Sequence, residues 1–224
     1  SQEDLIISIE KVLLGPERKS HILTEQEKKI SAYHEGGHSL VAASLSHADP
    51  VHKVSIVARG RAAGYTLKLP IEDRHLYAKS HFVDELAVLL GGYAAEQVVF
   101  KEITTGAADD LRKATDLARS LVTRYGMSEK IGPVTFGDRE ELVFLGKELG
   151  VERNYSEKIA TLIDEEVRSF IRRAFDTAKR IVTERRRKLD EIARILIEKE
   201  SIERDEFDKL IGKLQLEPVR VARS

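Results

Sequence analysis

One pentapeptide, His34-Glu35-Gly36-Gly37-His38, constrains this chain more than any other stretch. Residues four apart on a helix project from the same side, so the two imidazoles of an HExxH sequence can reach one metal ion. The glutamate between them sits one position along, close enough to work on a water without itself becoming a ligand. The pattern demands a helix whose histidine face turns inward, toward a dry site. The rest of the chain has to supply a third ligand and the walls.

The flanking residues fit that demand. Thr24 and Glu27 form a T-x-x-E capping box that opens a helix over residues 25–45. At about 100° per residue, His34 and His38 share a face with Ile30, Val41 and Leu45. Two ordinary buried histidines are the plain alternative, but a pair at this spacing bracketing a glutamate favours the metal. Gly36 and Gly37 each cost about 1 kcal/mol in a helix interior relative to alanine, which predicts close packing against their backbone.

A catalytic zinc takes three protein ligands and leaves a position open. Downstream, Leu111, Ala114, Leu117, Ala118, Leu121, Val122 and Tyr125 define a buried helix stripe. Asp110 falls about 50° from its centre and Asp109 about 150° away, so Asp110 is the inward carboxylate. The rival is Glu96, which lies about 150° off the stripe of its own helix unless Gly91-Gly92 resets the face. His47, His52, His75 and His81 have no helical partner and read as ordinary histidines.

The 224 residues are enough for one large domain or two small ones. A net charge of −1 with 33% charged residues gives no electrostatic footprint for nucleic acid. The basic run Arg185-Arg186-Arg187-Lys188 reads as a solvated helix face. There is no cysteine, which excludes thiolate ligands and disulfides, and no GxxxxGK[ST] phosphate loop. No apolar run approaches the roughly 18 residues of a membrane span.

Along the chain, residues 51–69 carry β-branched, alternating residues with Gly60 and Gly64 between them, predicting a small strand pair. Its Gly-flanked strand is a candidate edge for an extended substrate, with Val54, Ile56, Gly64, Tyr65 and Thr66 as docking residues; a plain structural hairpin is the alternative. Asp73 is expected to cap a helix to Phe100, with Leu76 in its buried stripe and a bend at Gly91-Gly92. A further helix is expected over 108–125, ended by Gly126. Residues 132–154 lack a pattern and read as connections, and from Ser156 onward only helices are expected. The predicted fold class is mainly α: a helical zinc-protease core over 21–150 with a small β-hairpin or sheet, then a C-terminal helix bundle over 151–224.

Several stretches in order resemble the FtsH family of ATP-dependent zinc proteases. They are Ala32-Tyr33-His34-Glu35-Gly36-Gly37-His38, Asp49 to Val54, Arg59-Gly60-Arg61-Ala62, Gly91-Gly92 with Ala95-Glu96, and Thr105-Gly106-Ala107 followed by Asp110-Leu111. Ala114-Thr115, Gly126-Met127-Ser128 and Gly132-Pro133 extend the likeness over nearly the whole chain. Gly36 stands where the family usually has alanine. The resemblance implies one zinc on His34, His38 and Asp110, with Glu35 as catalytic base, acting on unfolded polypeptides. It also implies a homo-oligomer, a hexameric ring, fed by an AAA ATPase module that alone would bind ATP. In that family the protease follows a membrane anchor, which places the whole protein on the cytoplasmic face of the bacterial inner membrane. Residues 1–20 resemble the tail of the ATPase. Two other readings stay open: a stand-alone HExxH peptidase with Glu96 as third ligand, and a non-catalytic module in which zinc is structural.

Overall fold

The computed structural model describes residues 24–58, 64–69, 75–136 and 155–212, together with Val12. Apart from Val12, the expected ATPase tail lies outside these residues, as do Asp73 and most of 132–154.

The HExxH helix is α1, Glu25–Ser44. Its capping box forms as the sequence demands: the Thr24 hydroxyl accepts from the Glu27 amide, and the Glu27 carboxylate accepts from the Thr24 amide at 2.8 Å. From Ala32 to Ala42 the helix is almost entirely buried, so it runs through the protein rather than along its surface.

Two strands follow, β1 (Val51–Ser55) and β2 (Tyr65–Lys68), then α2 (Lys79–Leu89) and α3 (Gly91–Phe100). The single helix expected from Asp73 is corrected in two respects. Residues 75–78 are not helical and Leu76 is 90% exposed, because the chain gains a face to bury only from Phe82, Leu86 and Ala87 onward. At Leu90 the backbone leaves helical angles (φ −90°, ψ 0°), so α3 starts afresh with a new face.

A 3₁₀ turn at Thr105–Ala107 leads into α4, Ala108–Thr123. Its buried stripe is narrower than predicted: Ala114, Ala118, Leu121 and Val122 are inside, while Leu111 and Tyr125 are exposed. Gly126 follows with φ +59°, the left-handed turn that ends the run.

The C-terminal part comprises α5 (Glu157–Glu184), α6 (Arg186–Lys199), β3 (Ser201–Glu203) and α7 (Arg204–Gly212). Strand β3 corrects the helices-only expectation; three residues with one apolar position, Ile202, are too short to show a period of two. It completes an antiparallel sheet in the order β2-β1-β3, with Val54 opposite both Thr66 and Ile202. The basic run is also corrected. Lys188 is buried, where its ammonium meets Glu191 and the Leu210 carbonyl, and Arg185 donates to the Ser44 hydroxyl at 2.7 Å. Of the four, Arg187 alone is exposed, so the cluster ties α6 to its neighbours.

One continuous apolar cluster joins α1 to α6, with residues from every one of these helices and from the sheet. Helix α1 lies between α3 and α6, and the long α5 spans α2, α3 and α4. The middle of α1, with its HExxH residues, is therefore held on several sides.

Candidate metal centre

Two backbone contacts bring the site together. A side chain on Gly37 would put its first carbon 2.4 Å from the Gly91 carbonyl oxygen, so α1 and α3 touch backbone to backbone. On Gly92, the same carbon would lie 2.5 Å from the His34 ring. Gly36 faces Leu189 and Ile192 of α6. The helix-weakening glycines are the condition for this packing, as the sequence suggested.

With the helices that close, His34, His38 and Asp110 converge. His34 Nε2 lies 3.0 Å from His38 Nε2 and 3.1 Å from Asp110 Oδ2, and His38 Nε2 lies 3.3 Å from the same oxygen. The opposite ring nitrogens have acceptors of their own. Nδ1 of His38 donates to the Val88 carbonyl at 2.7 Å, and Nδ1 of His34 donates to Glu96 Oε1 at 2.7 Å. In a neutral ring with its proton on Nδ1, Nε2 keeps a lone pair. Two such lone pairs and a carboxylate oxygen aimed at one point repel unless a cation or proton stands between them. The donor set suits zinc: bonds of about 2.0–2.1 Å in tetrahedral geometry put neighbouring ligand atoms about 3.3 Å apart.

The electrostatics follow from the convergence. Burial by itself would lower the His34 pKa, but hydrogen bonds to Asp110 and Glu96, with the charges around them, raise it to about 10. Burial would raise Asp110, yet the two imidazoles hold it well below the usual carboxylate range. Glu96 is likewise drawn down against its burial by His34 and the Thr104 amide.

For Glu96 the structure realises the exception that the helix wheel left open. The wheel turned it outward; in the structure it is fully buried, bridging His34 and the Thr104 amide, which donates to its Oε2 at 2.7 Å. The fresh start of α3 at Leu90 turned its face inward. It stands behind His34 rather than beside Asp110, and the convergent trio is His34, His38 and Asp110. Asp109 is exposed and pairs with Arg112 and Lys113, as its angle on α4 predicted.

Glu35 is buried beside the trio, and burial raises its pKa against the pull of His38, His34 and Thr66. The Thr66 hydroxyl donates to Glu35 Oε2 at 2.8 Å. Of the candidate docking residues, Val54 and Ile56 are 0% and 2% exposed, and β1 is flanked by strands on both sides, so neither offers a surface. Gly64, Tyr65 and Thr66 lie at or on β2, an outer strand of the sheet among the described residues.

Residues 21–210 match the family model described as Peptidase family M41. The ATP-dependent zinc metalloprotease FtsH 1 of Sphaerobacter thermophilus is 52% identical over 217 residues, which is 97% of this chain and 33% of that protein. FtsH of Pseudothermotoga lettingae is 50% identical over 210 residues, covering 93% and 34%. FtsH of Thermotoga maritima is 46% identical over 214 residues, covering 95% and 35%. The chain spans about a third of the length of these relatives. With a family match over most of its length, the chain belongs to peptidase family M41.

Proposed function

We propose that this chain is a zinc-dependent endopeptidase in which His34, His38 and Asp110 hold one zinc ion and Glu35 is the general base. The observation that carries this reading is the convergence of two Nε2 lone pairs and a carboxylate oxygen next to a buried glutamate. Zinc, when bound, supplies a Lewis acid that polarises the peptide carbonyl and acidifies the attacking water. Glu35 takes the proton of that water and delivers it to the leaving amine, a task its burial suits by bringing its proton affinity closer to neutrality. Glu96 and the Val88 carbonyl fix the ring orientation of the two histidines. The packed helices exclude bulk water from the inner side.

The substrate is extended polypeptide. Strand β2 pairs only with β1 among the described residues, and Thr66 links it to Glu35, so a peptide added to its outer edge would run past the base. The relatives' names include ATP dependence, and the family resemblance supports a hexamer fed by an ATPase module, anchored at the cytoplasmic face of the bacterial inner membrane. No helix among the described residues is long and apolar enough to cross a membrane. Unfolding a domain works against about 5–15 kcal/mol, which zinc chemistry does not supply. This chain by itself therefore cleaves unfolded substrates and leaves stable domains intact, with or without ATP.

The test is an unfolded protein substrate and the Glu35→Gln variant. Zinc content is expected to stay at one per chain while hydrolysis falls by about 10²-fold or more. Near-normal cleavage by the variant, or cleavage that survives a chelator, would overturn the proposal.

A further inference from the structure

A glutamate with three rotatable bonds is a poorly aimed base unless something holds its carboxylate. In this protein the holding group comes from another element. Thr66, the second residue of β2, donates its hydroxyl to Glu35 Oε2 at 2.8 Å, with the Glu35 backbone carbonyl 3.3 Å from the same hydroxyl. Gly64 closes the other side. A side-chain carbon there would lie 2.9 Å from Glu35 Cγ, 3.0 Å from Oε1 and 2.8 Å from the Ser55 carbonyl oxygen, so the strand passes directly over the carboxylate. The carboxylate is thus gripped at Oε2 by Thr66 of β2, with Gly64, the residue just before the strand, close beside Oε1.

Thr66 is well supported to do this. Its strand partner Val54 is fully buried on the central strand, which fixes the position of β2 relative to α1. Threonine has few χ1 states in a strand, so its hydroxyl is itself preset. The half-buried setting of Thr66 shields the bond from competing water, and hydrogen bonds to a carboxylate are stronger than neutral ones.

We infer that Thr66 is a positioning residue for the peptidase reaction: its hydroxyl fixes one oxygen of Glu35 so that the other faces the attacking water, and Gly64 provides the space. The strand that would bind the substrate backbone then also aims the base. This inference rests on Glu35 being the base, as proposed above.

The test uses Thr66→Val, which keeps shape and strand propensity but removes the donor, and Thr66→Ser, which restores it. For unfolded-peptide hydrolysis, kcat of Thr66→Val is expected to fall about ten- to thirtyfold, the usual consequence of losing a hydrogen bond to a charged group. KM should change by less than about twofold and zinc content should not change. Thr66→Ser should recover most of kcat. In a Glu35→Gln background, Thr66→Val should have little further effect. A second readout needs no turnover: in the metal-free protein, the ¹³C carboxyl resonance assigned to Glu35 by its loss in Glu35→Gln should move in Thr66→Val and return in Thr66→Ser. An unmoved resonance, an unchanged kcat, or a loss confined to KM would overturn the role of Thr66. A moved resonance in a protein whose Glu35→Gln variant still cleaves normally would instead overturn the assignment of the base.

Discussion

The two sides of Glu35 are built differently. On one side, His34, His38 and Asp110 stand on helices α1 and α4, and α1 is packed so tightly against α3 that the contact admits no side chain at Gly37 or Gly91. On the other side is β2, four residues long, with one strand partner among the described residues and half of its side chains only partly buried. A metal site requires atoms held to tenths of an ångström, and close-packed helices deliver that. A peptide-binding edge requires unpaired backbone groups, which only an outer strand leaves free. The helical side should therefore be brittle and the strand side tolerant.

The sharpest break in the helical side is Asp110→Ala, which removes a donor from the convergent trio and is expected to leave almost no zinc in an elemental assay. Glu96→Ala is the informative companion. It strips His34 Nδ1 of its partner without touching the trio, so zinc affinity should fall by about 10–100-fold while binding persists at excess metal. If the two variants exchange these phenotypes, Glu96 is a ligand and Asp110 is not.

Brittleness itself can be measured with Gly37→Ala. Its added carbon would fall 2.4 Å from a backbone oxygen, and overpacking of this kind should cost about 2–3 kcal/mol in chemical denaturation. A variant as stable as the parent would mean that the helix crossing is looser than described here.

A proton balance sharpens the comparison further, because His34 in the metal-free protein is raised to about 10. At pH 7 it holds a proton that zinc must displace, whereas Asp110, held low, has none to lose. Zinc uptake near neutrality should therefore release about one proton, and affinity should rise about tenfold per pH unit until the imidazole titrates. Calorimetry in buffers of different ionisation enthalpy counts that proton; uptake without release would refute the balance.

The smallest effect belongs to the strand side. Lys68 of β2 pairs with Glu85 of α2 at 2.5 Å, with both side chains about a fifth exposed. Lys68→Gln should cost about 1 kcal/mol or less and leave zinc content unchanged. A large loss would show that β2 depends on this tie and is less tolerant than its short pairing suggests.

Much of the helical side was legible in the sequence. The capping box set the start of α1, the four-residue spacing set its histidine face, and the stripe of α4 separated Asp110 from Asp109. The inward turn of Glu96 was legible only as a condition, because a wheel assumes an unbroken helix and a glycine pair does not by itself say how far the face is reset. Thr66 could be placed on a strand, but its bond to Glu35 is a contact between distant segments that no local period records. Strand β3 escaped notice for the same reason: its pairing with β1 is set by partners far away along the chain.

That last pairing bears on how the protein comes into being. Val54 finds Ile202, and Ile56 donates its amide to the Glu200 carbonyl, so the sheet joins an early segment of the described chain to a late one. A ribosome releases β1 and β2 long before it reaches β3, and contacts so far apart form late. Helix α1 waits as well, since its glycine face is covered by Leu189 and Ile192. All the residues assigned to chemistry are translated by Asp110, yet the framework that aligns them is incomplete until the last described helices have been made. The alignment of His34, Glu35 and His38 thus depends on segments translated well after them.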